Sequence, residues 1–178
     1  MTVELLKLKD GRMRIDLDRC YGPFLGKALK VLAACRERGQ DYYPTFGYRS
    51  WAQQHQLRQA FLTGKGGKAA PAGESAHNYG LAWDVCADSD QTKPGLQPNW
   101  STDRYKILGE ETKKAGLVWG GSFNDSPHIQ WPGYVNGAQL RTLQKVWKTC
   151  PQEASDLQRL CAVWQYIEVL DTSGSAWV

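Results

Sequence analysis

Apolar side chains recur at helical intervals over residues 24–38, with Phe24, Ala28, Leu32 and Cys35 on one stripe and Leu25, Leu29 and Val31 beside it. Gly39 supplies the stop signal for that helix. Tyr42 to Tyr48 is aromatic and β-prone, which predicts a short strand. Ser50 then reads as the N-cap of a helix running to about Leu62. Residues 63–76, TGKGGKAAPAGESA, read as a loop. They are not a phosphate-binding loop, because Leu62 stands where the first glycine is needed and Ala69 where Ser or Thr should be.

LAWDVCA, residues 81–87, predicts a strand, followed by a polar loop to Trp100. Ser101 or Thr102 caps a helix over about 103–115, closed by Gly116. Leu117–Trp119 and His128–Trp131 predict two short strands around a turn of Gly, Asn, Asp and Ser. Helices and short strands mix without βαβ regularity, so the fold class is α+β. After Pro132-Gly133 the period becomes helical throughout. Leu140, Leu143, Trp147 and Cys150 share one face, and beyond Pro151 so do Leu157, Leu160, Cys161, Trp164 and Ile167. The expected division is a unit of residues 1–135 and a helical extension of 136–178 packed on it.

Composition narrows the classes. The 178 residues are 42% hydrophobic and 22% charged, and mean hydropathy is −0.53. That balance excludes an extended disordered chain, and no apolar run is long enough to span a membrane. A net charge of +4 suits an anionic polymer, but no basic stripe or block points to nucleic acid. Cys20, Cys35, Cys86, Cys150 and Cys161 are odd in number and scattered, which predicts small buried thiols rather than a disulfide framework. The N-terminal stretch is polar and charged, without a signal-peptide core, so synthesis in the cytoplasm without a signal peptide is expected.

The chemistry concentrates in Ser75-Ala76-His77-Asn78-Tyr79-Gly80-Leu81-Ala82-Trp83-Asp84. Gly80 permits a tight turn between His77 and Asp84, so imidazole and carboxylate can converge. Of the two other histidines, His55 is flanked by glutamines on what reads as a solvated helix face, whereas His128 opens a strand. His77, Asp84 and His128 would leave a fourth tetrahedral position open on a hydrolytic metal. Asp125, three residues before His128, is the candidate base, and Arg49 the candidate for a developing oxyanion. Each also has a plain structural reading: a hydrogen-bonded histidine, a turn-capping aspartate, a surface arginine.

In order, Gly47-Tyr48-Arg49-Ser50, the Ser-x-His-x-x-Gly-x-Ala-x-Asp segment, Trp119-Gly120-Gly121 and Asp125-x-x-His128 resemble the D-Ala-D-Ala carboxypeptidase or VanY-type zinc peptidases. Most of all they resemble the L-alanyl-D-glutamate peptidases used as bacteriophage endolysins. The resemblance covers about residues 20–132. It implies a small antiparallel sheet flanked by helices, as in D-Ala-D-Ala metallopeptidases and hedgehog-like domains. It also implies one Zn2+ per chain on His77, Asp84 and His128, Asp125 as general base and acid, and Arg49 at the substrate or oxyanion. Ser75 is implied to orient the ligand loop, and Gln53 matches a glutamine on the helix after the arginine. Tyr79 and Trp119 are candidates to line a substrate groove, together with Tyr48, Trp100 and Trp131. Trp83 is bulkier than the family's residue before the aspartate, which predicts a reshaped pocket floor.

The implied activity is hydrolysis of the peptidoglycan stem peptide, between L-Ala and D-Glu, by a monomer that acts on the wall after release and neither inserts into membrane nor binds nucleic acid. Aspartate rather than glutamate before the last histidine favours this endopeptidase branch. The alternatives are a D,D- or L,D-carboxypeptidase of wall remodelling, and a non-catalytic zinc-fold wall-binding or phage structural protein.

Overall fold

A computed structural model describes residues 6–7, 13–93, 95–134 and 136–172. Helix α1 (Gly22–Glu37) buries Phe24, Ala28, Leu29, Val31, Leu32 and Cys35, the stripe expected from the sequence. Gly39 ends it with φ of 77°. Strand β1 (Tyr42–Phe46) leads to α2 (Trp51–Leu62), whose N-terminus carries a full capping box between Ser50 and Gln53. Strands β2 (Ala82–Asp88) and β3 (Pro98–Asn99) precede α3 (Lys106–Lys114). The helix expected over 103–115 therefore starts with a separate 3-10 turn at Thr102–Tyr105. Strands β4 (Val118–Trp119) and β5 (His128–Gln130) and helices α4 (Gly137–Thr149) and α5 (Asp156–Thr172) complete the order.

The sheet is antiparallel, in the order β1-β2-β5-β4, with β3 pairing the far end of β2. Strand β2 is central, and its side chains alternate between the two faces. Trp83 and Val85 point into the core, and Trp83 meets Phe24 of α1 edge-to-face at 5.4 Å. Truncating Trp83 to alanine would cost about 3–5 kcal/mol. The same alternation sends Asp84 to the opposite face, so Trp83 does not form the pocket floor. Asp84 lies directly across from His128 in the β2–β5 register. That pairing positions the site.

Helices α4 and α5 share the core of the sheet and α1, through Leu140, Leu143, Trp147, Leu160, Val163 and Ile167. The buried stripe of α5 is offset from the expected one. Val163 lies inside, while Leu157 and Cys161 are exposed, because Leu160, Val163 and Ile167 make the i, i+3, i+7 row that faces α4 and the sheet. Cys20, Cys35 and Cys86 are buried free thiols, as expected; Cys161 is not buried. No helix among the described residues is long and apolar enough to cross a membrane. Residues 173–178, the end of the predicted extension, lie outside the described residues.

Candidate metal centre and active site

His77 sits on a 3-10 turn, Ala76–Tyr79, that ends on Gly80 at φ of 67°. A Cβ at Gly80 would run into the Arg19 carbonyl, so only glycine allows both the left-handed turn and this close approach. The turn is thereby pressed against the backbone at Arg19 and Cys20, and His77 is buried.

From this turn and from the paired strands, three donor atoms converge. His77 Nε2 lies 3.3 Å from Asp84 Oδ1 and 3.3 Å from His128 Nδ1, and His128 Nδ1 lies 3.0 Å from Asp84 Oδ1. A tetrahedral zinc with bonds of about 2.0–2.2 Å separates its donors by roughly 3.3–3.5 Å. The triangle therefore has close to the right edge lengths.

The outer ring nitrogens decide what the inner ones offer. His77 Nδ1 donates to the Gly47 carbonyl at 2.7 Å, and a carbonyl can only accept, so Nε2 presents a lone pair. His128 Nε2 meets Gln130 Oε1 at 2.8 Å, and Gln130 Nε2 in turn donates to the Tyr134 carbonyl at 2.9 Å. That second bond fixes the amide orientation, so His128 Nδ1 also turns a lone pair inward. With both rings neutral, two lone pairs and a carboxylate oxygen face one point, an arrangement that a cation between them would satisfy. The residues present fit a divalent metal of the zinc kind.

The charges agree. Without a bound cation, protons take its place: burial alone would raise the pKa of Asp84, but positive charge on His77 and the N–H bonds that both rings donate once protonated hold it well below the ordinary aspartate value. Burial alone would lower His128, but Asp84, Gln130 and Asp125 together raise it above the ordinary 6.5.

A cleft of about 620 Å³ opens onto this triangle, lined also by Arg49, Gln54, Ser75, Phe123 and Asp125. Asp125 reaches it through a tightly determined turn. Gly120 leaves no room for a Cβ beside the Asp125 carbonyl and the His128 side chain, and Asn124 adopts the left-handed conformation at φ of 62°. Asp125 N–H donates to the Gly120 carbonyl at 2.9 Å, and His128 N–H to the Asp125 carbonyl at 3.1 Å. Desolvation by the cleft walls and the nearby Asp84 charge raise the Asp125 pKa, opposed by His128, His77 and Arg49. Arg49 Nη2 stands 3.7 Å from Asp84 Oδ2, and its Nη1 donates to Gln54 Oε1 at 2.9 Å.

Of the nine residues expected at the site, His77, Asp84, His128, Asp125, Arg49 and Ser75 line the cleft. The other three do not. Gln53 is consumed by the capping box, its Oε1 accepting from Ser50 N at 2.9 Å, and its neighbour Gln54 is the buried glutamine that orients Arg49. Tyr79 is fully buried, with its hydroxyl donating to the Gly73 carbonyl at 2.8 Å. Trp119 packs over Gly109 and Gly121 and donates to the Ser126 carbonyl at 2.8 Å, which braces the Asp125 turn rather than the substrate. Trp131 is likewise buried, whereas Trp100 is half-exposed and lines no part of the cleft. His55 is exposed on α2, as the flanking glutamines implied. Gln130 was missed, although a polar residue two after His128 on one strand must share its face. The capping-box pattern Ser50-x-x-Gln53 was the signal that Gln53 was already engaged.

An antiparallel sheet carrying a two-histidine, one-carboxylate donor set beside a turn-borne acid defines a metallopeptidase type of site. A family model described as D-alanyl-D-alanine carboxypeptidase matches residues 68–131, which hold the three donors and Asp125. The peptidoglycan L-alanyl-D-glutamate endopeptidase CwlK of Bacillus subtilis is 36% identical over 115 residues, covering 58% of this chain and 66% of CwlK. The chain thus spans slightly under two thirds of that relative. Two solved structures share the fold. One is a vancomycin-resistance D,D-pentapeptidase VanY variant from a VanB-type cassette in complex with Zn(II), at TM-score 0.50 and 21% identity over 76% of this chain and 82% of that one. The other is VanYB in complex with D-alanine-D-alanine, at TM-score 0.50 and 18% identity over 78% and 81%. Residues 68–131 thus match the D-alanyl-D-alanine carboxypeptidase family, and the chain is similar to peptidoglycan peptidases of this type.

Proposed function

We propose that the chain is a zinc-dependent peptidoglycan hydrolase that cuts the stem peptide between L-Ala and D-Glu, as a lytic enzyme of the endolysin type. The observation that carries this reading is the inward-facing donor triangle of His77, Asp84 and His128 at the head of a cleft that also holds Asp125 and Arg49. The relative that is an L-alanyl-D-glutamate endopeptidase supports the choice of bond.

Bound by these three residues, zinc would supply a Lewis acid and make water acidic enough to attack at neutral pH. The protein's own groups do the rest. Asp125, on its fixed turn, takes the proton from the attacking water and returns it to the leaving amine. Its raised pKa makes it a better proton acceptor than an exposed aspartate. Arg49, held by Gln54 and by the charge of Asp84, directs its guanidinium at the scissile carbonyl as negative charge develops there. The net charge of +4 favours approach to an acidic wall.

Mass spectrometry of a digested wall of defined structure tests the reading. New N-terminal D-Glu, abolished by chelator and restored by zinc, is the expected result. Released D-Ala instead would make the chain a carboxypeptidase, and no release at all would leave a wall-binding protein.

A further inference from the structure

The segments that present Arg49 and His77 are locked to each other. Arg49 N–H donates to the His77 carbonyl at 3.0 Å, and Asn78 Nδ2 donates to the Arg49 carbonyl at 2.7 Å. On their outer side both segments touch α5. Tyr48 OH donates to Asp156 Oδ2 at 2.6 Å, and Trp164 Nε1 donates to the Tyr79 carbonyl at 2.8 Å.

Helix α5 does not need these contacts to form. Its start is capped by Ser155 and Gln158, with Ser155 N donating to Gln158 Oε1 at 2.8 Å and Gln158 N to Ser155 Oγ at 3.3 Å. Its docking is supplied by Leu160, Val163 and Ile167. The Asp156 carboxylate and the Trp164 N–H are therefore free of capping and docking duty. Both are spent on residues one and two positions from Arg49 and His77.

We propose that α5 is a positioning element of the active site. Asp156, through Tyr48, holds the segment that presents Arg49; Trp164, through the Tyr79 carbonyl, holds the turn that presents His77. The proposal rests on the peptidase reading for the chemistry that the site performs.

On stem peptide, Asp156→Ala and Tyr48→Phe each lower kcat about tenfold with KM within about twofold, in the range of supporting-shell changes. Asp156→Asn loses the same charge and the same helix-end interaction but keeps the acceptor, so it recovers most of the rate. The double variant Tyr48→Phe/Asp156→Ala is no slower than either single one. Trp164→Phe weakens zinc about tenfold in competition with a chromogenic chelator. Wild-type kcat in the single variants, an Asp156→Asn as slow as Asp156→Ala, effects that multiply, or unchanged zinc affinity in Trp164→Phe would each overturn the proposed role. A wild-type protein that binds zinc but cuts no wall sinks the peptidase reading alone, and the zinc affinity of Trp164→Phe then decides the role of α5. A wild-type protein that binds no zinc overturns both.

Discussion

The two walls of the cleft are built on different principles. One is made of paired strands and glycine-locked turns. Asp84 and His128 face each other across β2 and β5, and each outer histidine nitrogen is tied to a second oxygen. The other is the loop of residues 63–72, mostly exposed, which reaches the cleft at Lys68, Ala69 and Ala70. It is held mainly by Gln54 Nε2 on the Ala70 carbonyl at 2.8 Å and Arg58 Nη1 on the Ala69 carbonyl at 2.9 Å. The first wall fixes atoms to within the tolerance of a metal bond. The second fixes only the path of the chain. Chemistry belongs to the former, and adjustment to substrate to the latter.

Removing a donor breaks the contrast most severely. His128→Ala should lose stoichiometric zinc and bring turnover below detection, read by metal analysis beside the wall-digestion assay. Asp125→Ala comes next: it should keep zinc and a normal fold while turnover falls about 10²–10⁴-fold, the usual worth of a positioned acid or base. A zinc-free variant, or one with normal turnover, would remove Asp125 from that role. Gln130→Leu touches no metal directly, yet by releasing the His128 ring it should weaken zinc about 10–100-fold.

The same wall carries a pH signature. Zinc needs a neutral imidazole, and the folded, metal-free protein holds the His128 pKa above 6.5. Protons therefore compete increasingly as pH falls through that raised value. Affinity should drop about tenfold per pH unit below it and level off above it, measurable by chelator competition across pH. The smallest effect belongs to the loop wall. Arg58→Ala should leave zinc affinity and kcat unchanged and raise KM by no more than about threefold. A larger loss of kcat there would erase the distinction between the walls.

Much of this was legible in the sequence, for reasons that differ by residue. The α1 stripe, the Ser50 cap and the Gly39 and Gly116 stops are local rules, and local rules survive folding. The convergence of His77, Asp84 and His128 was legible because three histidines leave few combinations, and one of them sits among glutamines on a solvated helix. What sequence could not give was direction. Tyr79 and Trp119 stand beside motif residues in the chain, yet a 3-10 turn and a two-residue strand point them into packing. Gln54 rather than Gln53 lines the cleft, because a helix turns about 100° per residue and the cap claims the N3 side chain. The α5 face slipped in the same way: several rows were apolar, and only contact with α4 and the sheet selects one.

The central place of β2 in the sheet has a kinetic consequence. Asp84 and His128 sit on hydrogen-bonded interior strands, whose amides should exchange with solvent only when the whole protein opens. His77 rides on a four-residue turn outside the sheet. An ion held by the three donors would therefore be released by local opening of that turn before the sheet opens, so its residence time would be governed by a segment of the chain far smaller than the one that sets the protein's stability.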